Sequence, residues 1–358
     1  MKLLVFHINP NDRSAHILKN EEMFRGMGID VTDVYDHDLL RGDLKKSDAL
    51  YLNWFENIDG GPAYMPVLRF IRRKIQLSRI RRSKIRVLFC KHNRFPHNVR
   101  YPALSRNLYL QLCRMAGVII AFNNDADSDL KSVFPAYDFS EKIRVIPPLN
   151  YIGVYPPDPD SEIYRIAEKY RGRMIVCFIG KISSYKNVEL ILRAAGELKD
   201  KNMAFLIFGK PVTEEYRLRL EKMAEGLDNV TAFFDMVPDE EMQPLLDVSD
   251  ILIMPYDKRS ASNSGTGRLA FSYGRTVISP DISSMNLIPE ELIYKYHYDS
   301  SSEHYEKMLE QLLRAYNDWQ TGPGMLRSKG EQLLELMKRD YSQEVIEKKY
   351  MDIFDALI

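Results

Sequence analysis

Short apolar runs alternate with stretches of helical period along most of the chain, and this pattern limits the fold more than any other feature. In the first half, these runs predict buried strands, because they are too continuously apolar to have one face in water. They are Lys2–Ile8, Ala49–Leu52, Ile85–Cys90 and Val118–Phe122. Candidate helices lie between them, and strands that alternate with helices predict a parallel, doubly wound α/β sheet.

Five prolines from Pro147 to Pro159 interrupt this alternation, since proline continues neither a helix interior nor a central strand. Candidate strands then resume at Met174–Ile179, Ala204–Phe208, Val230–Phe233, Ile251–Met254 and Thr276–Ile278. We therefore predict an α/β fold of two Rossmann-like domains facing each other across a cleft, with ligands at the carboxyl ends of the strands. The expected parts are a domain at 1–150, a Pro-rich linker at 151–172, a domain at 173–340 and a C-terminal helix at 341–358 that packs on the first domain.

The overall charge excludes one large class of proteins. Fifty Lys and Arg residues balance fifty Asp and Glu residues over the 358 residues, so the chain lacks the basic character of a nucleic-acid binder. Its three cysteines lie in apolar stretches without a CxxC pair, which predicts reduced core thiols. No apolar run approaches the ~20 residues that cross a bilayer. We expect a cytoplasmic protein without a nucleic-acid partner.

Two loops of the second half carry the groups that an anionic ligand needs. Gly180, Lys181 and Lys186 would combine backbone freedom, two cations and the N-terminus of the next helix. A second loop before a later helix offers hydroxyls and amides from Ser262, Asn263, Ser264, Gly265 and Thr266. The alternatives are a solvated turn and an ordinary capped helix, but two such loops in one domain favour a diphosphate site.

Four collinear segments within residues 174–281 resemble those of the GT-B glycosyltransferases, in the family-four-like group also called group 1. They read FIGKISSYKNVELILRAAGEL, LIFGKP, VPDEEMQPLLDVSDILIMPY and LAFSYGRTVISPD. The resemblance implies a metal-independent transferase of polysaccharide or glycolipid assembly that uses a UDP-, GDP- or ADP-sugar and no further cofactor. It also implies that Lys181 and Lys186 neutralise the donor diphosphate, while Gly209 and Val237 lie near the nucleotide.

One departure from the family pattern concerns the second domain. Most retaining members carry two glutamates eight positions apart, whereas this chain has Ala261 and Leu269 at the corresponding positions. The ribose contact, the sugar contact and the stereochemical outcome therefore stay open.

The loop after the strand Ile85–Cys90 is similar to the H-N-x-x-P-H loop of some of these transferases. It makes His92 and His97 candidate catalytic residues, together with Asp12 after the first strand. Trp54 and Glu56 are candidates for binding the acceptor. The alternatives are structural histidines, an Asp12 that only caps a helix and a Trp54 that belongs to the core.

A block of nine basic residues without an acid extends from Arg69 to Arg86. Leu68, Ile71, Ile75 and Leu77 are interleaved with it, so a helix here would have an apolar and a cationic side. Such a helix fits an anionic membrane surface, and a solvated basic face is the alternative. We therefore expect peripheral contact with the inner face of the cell membrane.

The function that these observations favour is transfer of a sugar from a nucleoside-diphosphate sugar to a glycan or a lipid-linked saccharide. One alternative is a nucleotide-sugar epimerase of the same architecture. The other is a catalytically inactive subunit that binds nucleotide sugars. An acceptor requirement distinguishes the transferase from both.

Overall fold

The computed structural model describes residues 1–8, 15–95, 99–258, 263–322 and 324–356. The chain divides into two compact units. The first unit combines Met1–Leu149 with Tyr341–Ile358, and the second is Asn150–Asp340. Each unit contains a sheet of six parallel strands, so the predicted pair of Rossmann-like domains is confirmed.

The sheet of the first unit has the order β2-β1-β3-β4-β5-β6. Its strands are β1 (Lys2–Phe6), β2 (Asp30–Val34), β3 (Ala49–Asn53), β4 (Arg86–Lys91), β5 (Val118–Ala121) and β6 (Ile143–Val145). The helices of this unit are α1 (Ala15–Gly26), α2 (Asp36–Arg41), α3 (Met65–Ser83), α4 (Pro102–Met115), α5 (Ala126–Val133) and, from the end of the chain, α13 (Gln343–Asp355).

Alternate residues of the central strands separate the core of the first unit into two layers. Leu50 and Leu52 of β3 pack in one layer, and Tyr51 packs in the other. Helix α13 completes the second layer with apolar residues that include Tyr350, whose hydroxyl lies 3.0 Å from that of Tyr51. Burial of this apolar surface holds α13 on the first unit.

The sheet of the second unit has the order β12-β11-β10-β7-β8-β9. Its strands are β7 (Met174–Ile179), β8 (Met203–Phe208), β9 (Val230–Phe233), β10 (Ile251–Ile253), β11 (Thr276–Pro280) and β12 (Tyr294–Tyr296). Its helices are α6 (Glu162–Glu168), α7 (Val188–Glu197), α8 (Glu214–Ala224), α9 (Met242–Val248), α10 (Gly265–Ser272), α11 (Ser301–Thr321) and α12 (Gly324–Asp340). The strand order reverses between β7 and β10, and doubly wound sheets bind ligands at such a reversal.

The structure contains elements that the apolar pattern did not indicate. β2 reads DVTDV and lies at an edge of its sheet, where polar residues face water, while β6 and β12 have only three residues each. Residues 151–172, predicted as a linker, belong to the second unit and include α6. The three cysteines are free and buried, as expected. Among the described helices, none is both long and apolar enough to cross a membrane.

Candidate functional site

A buried cation lies at the carboxyl end of β7. Lys186 is only 9% exposed, and its ammonium lies 5.7 Å from the ring centre of Phe178 and 5.0 Å from that of Tyr256. Within the described part of the chain, no carboxylate forms an ion pair with Lys186, and burial lowers its pKa. A buried charge without a counter-ion is unfavourable unless an anion completes its surroundings. Lys186 is therefore a candidate anion-binding residue.

The residue opposite this ammonium is Gly180, which has no side chain. A methyl group placed on Gly180 would lie 3.2 Å from Lys186 Nζ and 3.6 Å from Thr266 Oγ1. Gly180 has a φ of +125°, which residues other than glycine rarely adopt. Its amide donates to the Phe208 carbonyl at 3.0 Å. The ammonium, the Thr266 hydroxyl and an open stretch of backbone therefore surround one small space.

A second glycine fixes the position of the first. Gly209 follows β8, and a side chain on it would collide with the carbonyl group of Gly180. The pairing of the two strands continues into their loops, since the Ile182 amide donates to Lys210 at 2.9 Å. Lys181 lies exposed beside this region, and Val237 is half-buried beyond the end of β9. Only a residue without a side chain fits at Gly209.

Helix α10 begins beside Thr266. Ser264 caps it by accepting a hydrogen bond at 3.0 Å from the amide of Gly267. The amides of Gly265 and Thr266 are in the first turn, where the helix itself provides no acceptor. The Thr266 hydroxyl accepts from Tyr256 at 3.2 Å and lies 3.4 Å from the carbonyl oxygen of Ile179. These contacts tie the helix start to the end of β7.

Asn187 links the loops that follow β7 and β10. Its side-chain amide donates to the Pro255 carbonyl at 2.9 Å, and the Asp257 amide donates to the Tyr185 carbonyl at 2.7 Å. Asn187 has a φ of 49°, the left-handed conformation that asparagine tolerates better than most residues. Asn263 lies half-buried before the cap, and Ser262 lies outside the described residues. The structure thus brings Lys186 and the start of α10 together.

Leu269 stands where most retaining members of the family have the second of two glutamates. It is 5% exposed on α10 and packs as an apolar residue. A carboxylate at this point of the helix is therefore absent in this chain. Its counterpart Ala261 lies outside the described residues.

A second group of polar side chains lies at the carboxyl edge of the first sheet. His92 is buried, with Nε2 at 3.0 Å from Asn53 Oδ1, and Trp54 stacks on its ring at 3.8 Å between centres. Burial, with a smaller effect from His16, places the pKa of His92 well below its usual range. The imidazole is therefore neutral near pH 7.

Asp12 and His97 lie outside the described residues, so their relation to His92 stays a prediction. Trp54 itself has a φ of 47°, a rare conformation for a bulky residue. Strained backbone of this kind is often found where a protein needs a side chain in one place. Here it places the indole against the His92 ring.

Glu56 is buried, with 3% of its surface exposed. Burial raises the pKa of its carboxyl group to about 7, against the smaller effects of its own backbone amide, Arg73 and Lys91. Both of these cations have their own carboxylate partners, because Arg73 pairs with Asp36 and Lys91 Nζ lies 2.7 Å from Asp129. In this structure Glu56 is therefore a buried carboxyl group near two ion pairs.

The described residues contain two groups whose ligand atoms are close enough for a metal ion, within 4.8 Å of one another. They are His16, Cys90 and His92 in one case, and His7, Glu21 and Asp33 in the other. Burial raises the pKa of Cys90 to about 12, which disfavours the thiolate that binds metals. In the second group, the guanidinium of Arg25 lies 3.5 Å from Glu21 and already supplies a positive charge beside this carboxylate.

Helix α3 differs in detail from the predicted two-sided helix. Leu77 is buried in the core, whereas Leu68, Ile71 and Ile75 are each about half exposed. Several of its basic residues contact other parts of the protein. Arg69 and Arg79 donate to backbone carbonyl groups, those of residues 58–60 and those at the end of α2, respectively. Arg72 and Arg73 pair with Asp36, and Lys74 donates to Gln111. The exposed cations with no such contact among the described residues are Arg81, Arg82, Lys84 and Arg86.

Comparison with known proteins agrees with this geometry. Residues 173–317 match the family model described as glycosyl transferases group 1. A GDP-mannose:glycolipid 4-beta-D-mannosyltransferase of Xanthomonas campestris is 28% identical over 121 residues, 34% of each chain. An alpha-maltose-1-phosphate synthase of Mycolicibacterium smegmatis is 23% identical over 256 residues, 67% of this chain and 63% of that protein. The chain thus spans about a third of the length of the first of these relatives.

Two solved structures resemble the whole chain. HepE of Anabaena, solved with UDP and glucose, has a TM-score of 0.74 at 10% identity. The aligned region covers 99% of this chain and 100% of the HepE chain. Sucrose-phosphate synthase from Thermosynechococcus elongatus has a TM-score of 0.72 at 12% identity and covers 99% and 98%. The chain therefore has the GT-B fold, and its residues 173–317 match the group 1 glycosyltransferase family.

Proposed function

We propose that this protein transfers a sugar from a nucleoside-diphosphate sugar to a glycan or a lipid-linked saccharide. The single observation that carries the proposal is Lys186, a buried cation without a carboxylate partner among the described residues, beside the bare backbone of Gly180. The start of α10 adds two unpaired amides and the positive end of its dipole at the same place. A diphosphate has the charge and the hydrogen-bond acceptors that these groups require.

The chemistry needs stabilisation of the leaving group above all. An acceptor hydroxyl oxygen bonds to the anomeric carbon, the bond from that carbon to the diphosphate oxygen breaks, and negative charge develops on the departing nucleoside diphosphate. In this proposal, Lys186 and the amides of Gly265 and Thr266 stabilise that charge. Because these donors are fixed before the reaction, little reorganisation is needed in the transition state.

The acceptor proton needs a base, and His92 is the candidate that the first unit offers. Its ring is neutral, and its Nε2 lies 3.0 Å from Asn53 Oδ1. Trp54 stacks on this ring and supports its orientation, next to the proposed place of the acceptor. A neutral imidazole is suited to take a proton from a hydroxyl group.

The relatives suggest which donor and which acceptor to propose for this protein. The Xanthomonas relative is named for GDP-mannose and a glycolipid acceptor, and HepE was solved with UDP and with UDP-glucose. We therefore propose glycolipid or polysaccharide assembly as the process. The first donors to test are GDP-mannose and UDP-glucose.

The decisive experiment follows release of nucleoside diphosphate from each donor, with and without a glycolipid acceptor fraction. A transferase releases it slowly from the donor alone and faster when acceptor is present. Interconversion of the donor sugar without acceptor would establish the epimerase instead. Donor binding without either reaction would establish an inactive binding subunit.

We also propose that α3 lies against an anionic membrane surface. Leu68, Ile71 and Ile75 are about half exposed on one side of the helix, and four exposed cations follow near its end. Apolar contact together with attraction of about 1 kcal/mol for each basic residue near the surface supports reversible binding.

Co-sedimentation with vesicles tests this membrane contact. Vesicles that contain phosphatidylglycerol should retain the protein, and vesicles of phosphatidylcholine alone should not. The double variant Ile71→Asn and Ile75→Asn should lose binding, whereas Val212→Asn, at an exposed apolar residue of the second unit, should keep it. Equal retention by both kinds of vesicle, or by neither, would contradict the proposal.

A further inference from the structure

A phenol from the segment before α6 reaches the start of α10. The hydroxyl oxygen of Tyr151 lies 3.7 Å from the position that a Cβ atom would occupy on Gly265. Gly265 is the first residue of α10, and its neighbour Thr266 lies beside Gly180 and Lys186. The phenol therefore lies beside the start of α10, next in sequence to the threonine whose hydroxyl lies near Gly180.

The backbone around Tyr151 is anchored to the second unit. The Tyr151 amide donates to Ser272 Oγ at 2.9 Å, near the end of α10, and the Asn150 side chain donates to the Met337 carbonyl at 3.1 Å. The Tyr155 amide donates to the Tyr273 hydroxyl at 2.9 Å. With its backbone held near the end of α10 and its hydroxyl at the start, the Tyr151 side chain lies along the helix. Its position is set by the fold and needs no ligand.

The hydroxyl of Tyr151 is available as a donor. It makes no hydrogen bond to any described residue, although most of the side chain is covered. Burial raises the pKa of Tyr151, and the charge of Arg268 on the same helix opposes this effect only in part. The phenol is therefore protonated at neutral pH and has a hydrogen to donate. A hydrogen bond to a charged acceptor is stronger than one between two neutral groups.

We propose that the Tyr151 hydroxyl donates a hydrogen bond to the diphosphate of the donor, next to the amide of Gly265. This inference rests on the proposed function and assigns a contact to a residue outside the loops that follow β7 and β10. Tyr151 joins Lys186 and the first amides of α10 as a diphosphate ligand. It is a binding residue, and its loss should weaken the donor and its product alike.

Calorimetric titration of UDP and GDP into three proteins tests the contact. The proteins are the wild type, Tyr151→Phe and the matched control Tyr155→Phe. The control removes a hydroxyl group from the same segment, from a tyrosine whose ring centre lies 6.5 Å from that of Tyr273. Tyr151→Phe should raise the Kd of the preferred nucleoside diphosphate about tenfold, and Tyr155→Phe should leave it unchanged. Inorganic pyrophosphate, used as a competitor, should lose affinity for Tyr151→Phe by a similar factor. Thermal unfolding without ligand should be the same for all three proteins.

The outcomes separate this inference from the proposed function. If the wild type binds neither of these nucleotides nor ADP, the proposed function fails, and the contact fails with it. If the wild type binds and Tyr151→Phe binds equally well, only the Tyr151 contact is wrong. A loss of nucleotide affinity without a loss of pyrophosphate affinity would place the effect of Tyr151 away from the diphosphate and would also overturn the proposal.

Discussion

The ammonium of Lys186 lies 5.0 Å from the ring centre of Tyr256, whose hydroxyl donates to Thr266 at 3.2 Å. One aromatic residue at the end of β10 thus contacts both the cation and the helix start of the proposed diphosphate site. An aromatic face attracts a cation without neutralising it, so the charge of Lys186 stays available to an anion.

Substitution of Tyr256 separates its two contacts. Tyr256→Phe keeps the ring and should raise the Kd of a nucleoside diphosphate only a few-fold. Tyr256→Leu removes both contacts and should raise it more than tenfold, because the loss of the ring costs about 1–2 kcal/mol at a desolvated site. Calorimetric titration measures both values. Equal affinities for the two variants would show that the ring does not matter.

Gly209→Ala should damage both stability and the site. The new methyl group collides with the carbonyl of Gly180, so β7 and its loop must move. The control Gly172→Ala also has a positive φ, +80°, but nothing lies within 4 Å of its Cβ position. We expect the control to lose about 1–2 kcal/mol of unfolding free energy from backbone strain alone.

Gly209→Ala should lose more than this and should also lose nucleotide affinity. Urea unfolding and titration measure the two effects. If Gly209→Ala were no less stable than Gly172→Ala, the close approach of Gly209 to Gly180 would not exist in solution.

Glu56→Gln should stabilise the protein in a pH-dependent way. The pKa of Glu56 is raised from 4.5 to about 7, so its folded-state carboxyl group prefers to be protonated. The stability that this preference provides is complete below the unfolded pKa and is lost as the pH rises through about 7. Glutamine does not titrate, so the gain of the variant over the wild type should grow by roughly 2–3 kcal/mol between pH 5 and pH 8.

Urea unfolding at the two pH values gives this difference. Glu306→Gln, a matched change at an exposed position of α11, should show no such growth. A gain for Glu56→Gln that is the same at pH 5 and pH 8 would mean that Glu56 is hydrated or ion-paired in the folded protein.

His92→Gln should lower turnover by about 10²–10⁴-fold, the usual contribution of a general base. Nucleoside diphosphate affinity should not change, because His92 belongs to the first unit and the diphosphate groups belong to the second. In the wild type, the low pKa of His92 predicts a rate that stays level from pH 8 to pH 6.5. An unchanged rate for His92→Gln, with the exposed His37→Gln as control, would remove His92 from the mechanism.

The sequence predicted the fold well where burial controls it. Continuous apolar runs such as Met174–Ile179 are central strands, whereas β2 was missed because an edge strand with a wet face reads DVTDV. Lys186 and Gly265 were predicted as site residues from their positions after strands and before helices, and the structure shows that the two loops lie close together. The role of Tyr151 could not be predicted, because it depends on a segment that returns to α10 from more than a hundred residues earlier in the chain.

The charges of α3 show a second limit. Nine basic residues suggested a continuous cationic face, yet Arg73 is buried against Asp36 and Arg79 binds the end of α2. The same limit applies to Glu56, whose burial follows from contacts made by distant elements. Partners that are far apart in the sequence decide whether a charge faces water.

The central claim is that Lys186 binds the diphosphate of a sugar donor. Titration of UDP and GDP into the wild type, Lys186→Met and the control Lys201→Met tests it most directly, since Lys201 is an exposed lysine that also lies over a ring, that of Tyr316 at 5.6 Å. We predict that the wild type and the control bind one of the nucleotides equally, while Lys186→Met binds it at least thirtyfold more weakly, a loss of about 2 kcal/mol. Equal affinity of Lys186→Met and the wild type would contradict the account.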